Sequence, residues 1–173
     1  MRGLNPGKAI YVGAFRGEQG LEGVGVEIGG VMGAMPWDVE FELAAFERRL
    51  TGALHALDAM YPDVQGLDEN GLSAVLEVAA WAHSEWVRIH PFANGNGRTA
   101  RMWANLVLLR YGVPPVLRLR PRLDSGDYGN AGRAGMAGDN APMAELLRRL
   151  VDAEVRRKQV EKQSETMSRR KAK

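Results

Sequence analysis

Apolar residues recur at Val39, Leu43, Phe46, Leu50, Leu54 and Leu57, at the steps that put one face of a helix into a core. Pro36-Trp37-Asp38 gives that helix a start and Tyr61-Pro62 an end. The same spacing predicts a second helix from Asn70-Gly71-Leu72-Ser73 to Arg88. Its core face carries Val75, Leu76, Val78, Ala79, Ala82 and Trp86, with Trp81 buried or half-buried. A third helix is expected over residues 98–111, rich in Leu106, Val107, Leu108 and Leu109 and stopped by Gly112-Val113-Pro114-Pro115. Residues 116–124 read as extended or irregular. Residues 127–137 read as a helix weakened by Gly129, Gly132 and Gly135. Ala141-Pro142-Met143 opens a last helix through Leu146, Leu147, Leu150, Val151 and Val155, expected to fray after Lys158. Ahead of the helices, residues 9–16 suit a short strand, 17–23 a turn, and 24–28 an alternating second strand. Gly29-Gly30 and Gly33 then break the chain again. The pattern is mainly α.

Composition adds limits. A chain of 173 residues is one domain's worth and long enough to bury a core. Residues 1–9 read as a leader, 10–155 as the domain and 156–173 as a basic tail. The tail has eight Lys and Arg against two acids, while the rest has 15 against 19, so the formal charge of +2 hides a tail near +6. A solvated helix end explains such a tail better than a nucleic-acid-binding arm, so no nucleic-acid partner is expected. The absence of Cys excludes disulfides and Cys-based metal sites and fits a reducing, cytoplasmic setting. No apolar run approaches a membrane span, and no membrane partner is expected.

The chemistry concentrates between the second and third helices, in His90-Pro91-Phe92-Ala93-Asn94-Gly95-Asn96-Gly97-Arg98-Thr99-Ala100-Arg101. A helix N-terminus offers unpaired N–H groups and a positive dipole end, and Gly95 and Gly97 let backbone approach an anion. Arg98 and Arg101 lie three apart on one helix face. Two such guanidiniums repel unless an anion sits between them, and arginine forks match phosphate oxygens. Asn96 can donate its amide to a phosphoryl oxygen. His90, at the mouth of this cradle, can accept a proton near neutral pH. Phe92 reads as the loop's apolar anchor, His83 as a packed or hydrogen-bonded histidine and His55 as a surface one. Three histidines this far apart make no zinc site.

The twelve residues resemble the Fic motif, HPFx(D/E)GNGRxxR. The similarity extends over residues 13–150: Gly13-Ala14-Phe15-Arg16, residues 24–30 and Met35-Pro36 resemble the family's flap and the helix start after it. Asp127-Tyr128, Gly138-Asp139 and Pro142 resemble the segment following the motif. The resemblance implies a helical bundle with a small N-terminal β-hairpin flap. It also implies an enzyme that moves AMP from ATP onto a Ser, Thr or Tyr hydroxyl of a target protein. His90 would then be the base. Gly95, Asn96, Gly97 and Arg98 would hold the α- and β-phosphates and Arg101 the γ-phosphate. Tyr128 would line the nucleotide pocket, Mg²⁺ would bridge phosphates, and Val26, Glu27 and Ile28 would align the target by strand addition.

Two positions depart from the pattern. Asn94 stands where the family has an acidic magnesium ligand, so metal binding is expected to weaken. Gly129 stands where a second tyrosine is common, which loosens the nucleobase pocket. The family's inhibitory [S/T]xxxE[G/N] stretch is missing, which implies a toxin-type member held by a small separate antitoxin. By analogy with similar-sized bacterial relatives, targets would be DNA gyrase and topoisomerase IV. The alternative is a degenerate member that binds nucleotide or a partner with little turnover, or uses another nucleotide or phosphate donor.

Overall fold

The computed structural model describes residues 11, 13–62, 66–119 and 125–171. Among these, the hairpin β1 (Glu27–Ile28) and β2 (Val31–Met32) precedes a 3-10 turn (Pro36–Asp38). Five helices follow: α1 (Val39–Met60), α2 (Glu69–Ile89), α3 (Asn96–Arg110), α4 (Ser125–Met136) and α5 (Ala141–Lys171). The fold is mainly α, as the periodicity predicts. No described helix is long and apolar enough to cross a membrane.

α2 is the helix the others pack around; α1, α3, α4 and α5 all contact it. Its sequence explains why. Ala79, Ala80 and Ala82 are fully buried and let neighbours come close, while Val75, Leu76, Trp86 and Ile89 fill the space between. Asp68 caps it, its carboxylate accepting from Gly71 N at 2.7 Å, so the helix begins slightly before the expected Asn70. α1 buries Val39, Phe46, Leu50 and Leu57. Phe46 meets Trp81, Trp86 and Trp103 with ring centroids 5.4 to 5.5 Å apart, joining α1, α2 and α3 in one aromatic cluster. His55 is exposed, as expected.

The hairpin forms one turn later than predicted. Glu27 pairs with Met32 and Ile28 with Val31, and the chain reverses through Gly29-Gly30 at φ 59° and 85°. Two consecutive left-handed residues are what a tight hairpin turn requires, and glycine takes them without strain. Residues 13–16 form no strand; Phe15 makes a single antiparallel bridge, to Phe92. Ala9, Ile10 and Val12 of that expected strand lie outside the described residues, as do the leader 1–9 and residues 120–124. α5 continues to Lys171 rather than weakening after Lys158. Arg157 pairs with Glu154 at 2.7 Å and with Glu161 at 2.5 Å, the spacings that support an exposed helix.

α4 carries the predicted glycines, and one of them is a contact. A methyl group at Gly135 would run into the Ser84 side chain on α2, whereas Gly132 has open space. Gly135→Ala should therefore lower unfolding stability by about 1–3 kcal/mol through overpacking. Gly132→Ala should be neutral or stabilise by up to about 1 kcal/mol through helix propensity. Urea denaturation of the two variants distinguishes these outcomes.

Candidate active site

The site forms where α2 stops. His90 caps that helix in the left-handed region (φ 50°, ψ 56°), the sole described non-glycine residue with positive φ. Its backbone N–H still reaches Trp86 O at 2.9 Å. Its ring Nδ1 lies 3.1 Å from Val87 O. A carbonyl only accepts, so Nδ1 carries the proton and Nε2 keeps a lone pair. Burial lowers the His90 pKa from its ordinary value; the Arg16 charge adds to this and the Val87 hydrogen bond opposes it. The imidazole is thus neutral at pH 7, with a basic nitrogen in a fixed orientation.

The loop after His90 is shaped from within. Asn96 is 1% exposed. Its Oδ1 accepts from Phe92 N at 2.9 Å, and its Nδ2 donates to Phe92 O at 2.6 Å. Both ends of the amide thus grip the loop's own backbone and fix its turn, with one of the two Nδ2 hydrogens used in the clamp. Gly95 is the N-cap of α3 at φ 100°, and Arg98 and Thr99 return their N–H groups to its carbonyl. The donors left for an anion are main-chain groups at the start of α3. Phe92 anchors the loop as predicted, stacked on Phe15 at 5.1 Å and tilted against Trp86 at 6.2 Å.

The two arginines are not equivalent. Arg98 is exposed beside Gly95; Arg101 is only 5% exposed. Arg101 donates to Tyr128 Oη at 3.3 Å and to Leu119 O at 3.5 Å, and its charge lies 5.7 Å from the Tyr128 ring. Tyr128 Oη also lies 2.7 Å from His83 Nε2. The phenol oxygen accepts from Arg101, and the His83 tautomer decides which of the pair donates across the second contact. Tyr128, expected to line a nucleobase pocket, is placed as a prop between Arg101 and His83. Burial, with a smaller contribution from the Arg101 charge, pushes the His83 pKa down to about 3.

Asn94 is exposed at the tip of the loop. It offers one neutral amide oxygen, and no group of three His, Asp or Glu able to hold a metal occurs among the described residues. Mg²⁺ is a hard cation that proteins hold through carboxylates, so this donor set does not fit a protein-held Mg²⁺.

Arg16 is the residue sequence reasoning missed. It is 1% exposed and donates to the carbonyls of Val24, Ala34, Ile89 and His90, at 2.6 to 2.9 Å. It ties both legs of the flap to the end of α2. Of the expected target-binding residues, Glu27 is exposed and Val26 and Ile28 are half-buried; β1 pairs with β2 on one edge, and its other edge meets no described strand. The hairpin turn rests against α4, because a Cβ at Gly29 would stand 2.5 Å from Arg133 Nε.

A sequence model described as the Fic/DOC family matches residues 8–108. The chain belongs to the Fic/DOC family. Its relatives include proteins named protein adenylyltransferase Fic. The one from Nematostella vectensis is 48% identical over 61 residues, 35% of this chain and 14% of that protein. The one from Drosophila persimilis is 31% identical over 138 residues, 80% of this chain and 23% of that protein. Protein adenylyltransferase fic-1 of Caenorhabditis briggsae is 32% identical over 105 residues, 60% of this chain and 20% of that protein. The chain thus spans less than a quarter of the length of these relatives.

In this Fic/DOC chain the buried neutral His83 links stability to pH. The unfolded chain protonates it near its ordinary 6.5, the folded chain only near 3, so stability present above pH 6.5 is lost as pH falls through that window. Between pH 7 and 4.5 the loss should reach about 3 kcal/mol, with His90 shifted in the same direction. Thermal unfolding followed against pH should show this slope, and His83→Gln should flatten it.

Proposed function

We propose that this chain is a protein adenylyltransferase that moves AMP from ATP to a Ser, Thr or Tyr hydroxyl of a target protein. The observation that carries the reading is the pairing of a neutral, tautomer-fixed His90 with an anion cradle at the start of α3. His90 Nε2 takes the hydroxyl proton as that oxygen attacks the α-phosphorus. The bond from the α-phosphorus to the bridging oxygen breaks, and pyrophosphate leaves. Main-chain N–H groups around Gly95, Asn96 and Gly97, with Arg98, hold the α- and β-phosphates, and Arg101 reaches toward the γ-phosphate. The hydroxyl is presented on a segment lying along β1, beside Val26, Glu27 and Ile28. With Asn94 in the loop, polyphosphate charge falls mainly to the arginines and the helix N-terminus.

A second reading, nucleotide binding with little turnover, is favoured by one observation, the amide of Asn94 where a metal-holding carboxylate would serve better. Residues 1–173 hold no Ser/Thr-x-x-x-Glu-Gly/Asn stretch, so an inhibitory helix would be supplied from outside them, and a small antitoxin is the source to test first. DNA gyrase and topoisomerase IV are the targets to try first, by analogy.

Label from α-³²P-ATP should pass to protein in a cell lysate. His90→Ala should reduce the rate by roughly 100-fold or more, the scale of a lost general base. Asn94→Asp should raise transfer and make it respond more steeply to Mg²⁺. Label transfer absent from both the native chain and Asn94→Asp would rule out the transferase, and nucleotide binding retained in that case would favour the second reading.

A further inference from the structure

One side chain joins the two halves of the site. The Arg16 guanidinium donates to Val24 O (2.9 Å), ahead of β1, and to Ala34 O (2.8 Å), after β2. It also donates to Ile89 O (2.7 Å) and His90 O (2.6 Å), and the Arg16 backbone N–H donates to Pro91 O at 2.7 Å. Among the described residues its side-chain partners are backbone carbonyls. Burial lowers its pKa from the usual guanidinium value, so keeping a charge here is unfavourable in itself. An apolar side chain would fill the same volume without that cost. What an apolar residue lacks is the planar five-donor fork, which fixes carbonyls from several segments in one plane.

We propose that Arg16 is a positioning residue for target modification, setting the register between the flap and His90. The inference rests on the transferase reading above and adds a division of labour to it. His90 sits in a left-handed conformation that disfavours a side-chain-bearing residue, and Arg16 holds the carbonyl of that same residue. The flap legs at Val24 and Ala34 hang from the same guanidinium. A strand docked on β1 is therefore placed relative to the imidazole through Arg16. The nucleotide cradle is held by a different device, the Asn96 clamp on Phe92. Arg16 thus acts on where the hydroxyl meets the base and leaves nucleotide binding alone.

The test uses the full chain with Arg16→Lys, which keeps the charge but loses the fork, and Arg16→Met, which keeps volume alone. ATP affinity by calorimetry should stay within about threefold of the native value. Transfer at saturating ATP should fall roughly 100-fold, the scale of an ångström misplacement between reacting groups. Millimolar guanidinium ion should restore part of the transfer in Arg16→Ala, and urea should not. ATP affinity and transfer falling in proportion, or transfer unaffected, would overturn the proposal. Hydrogen exchange gives a readout independent of activity. In Arg16→Lys, residues 24–34 and 88–92 should exchange faster together while α3 is unchanged; acceleration of the flap alone would overturn it. If the native chain transfers no AMP, the transferase reading fails and the exchange result still decides the role of Arg16.

Discussion

A helix cannot satisfy its own last carbonyls, and in this protein the way α2 solves that problem builds the site. Val87 O takes the His90 ring N–H. Arg88 O takes the backbone N–H of Ala34, from the leg of the flap. Ile89 O and His90 O take the Arg16 guanidinium. Each acceptor at the end of the helix thus fixes one part: the tautomer of His90, the seat of the hairpin, the turn of the loop. Were α2 to run one turn further, those carbonyls would be used internally and the parts would have no common anchor.

At the end of α2 Arg88 is paired with Glu42 and Glu85, but two other guanidiniums nearby are held without a carboxylate among their described partners. Arg16 and Arg101 are both buried, yet their partners in the structure are carbonyls and a phenol. Neutral dipoles satisfy guanidinium hydrogen bonds without cancelling their charge. The imidazoles of His83 and His90 stay neutral chiefly because they are buried, with the Arg101 and Arg16 charges adding to the effect. The result is a site that combines two buried guanidiniums with uncharged imidazoles.

Much of this was legible in the chain. Helical spacing placed α1 and α2 because each has one apolar face whose large residues repeat in step, and the motif placed the loop because glycines and arginines at a helix start have few other uses. What escaped depended on long-range contacts. The turn at Gly29-Gly30 and the turn at residues 17–23 are both glycine-rich, and only the seating of the hairpin against α2 and α4 selects the first. Arg16 is legible as part of a flap-like stretch, but its bonding is not, because its partners lie as many as 74 positions away. The internal bonds of Asn96 and Tyr128 were also not legible, because residue type indicates what a side chain can bond, not which bond it is already making. The persistence of α5 beyond Lys158 was masked by a basic composition whose acids, Glu154 and Glu161, fall at compensating positions.

The clamp of Asn96 on Phe92 has a consequence for how this protein can change over generations. Donors that belong to the main chain cannot be deleted by altering a codon, because every amino acid except proline brings the same N–H. Truncating exposed side chains around the cradle would leave its floor intact. Replacements that alter the shape of the turn, at Asn96 itself or at Gly95 with its φ of 100°, act on it directly. The shape of the turn is thus concentrated in the Asn96 clamp and the Gly95 backbone.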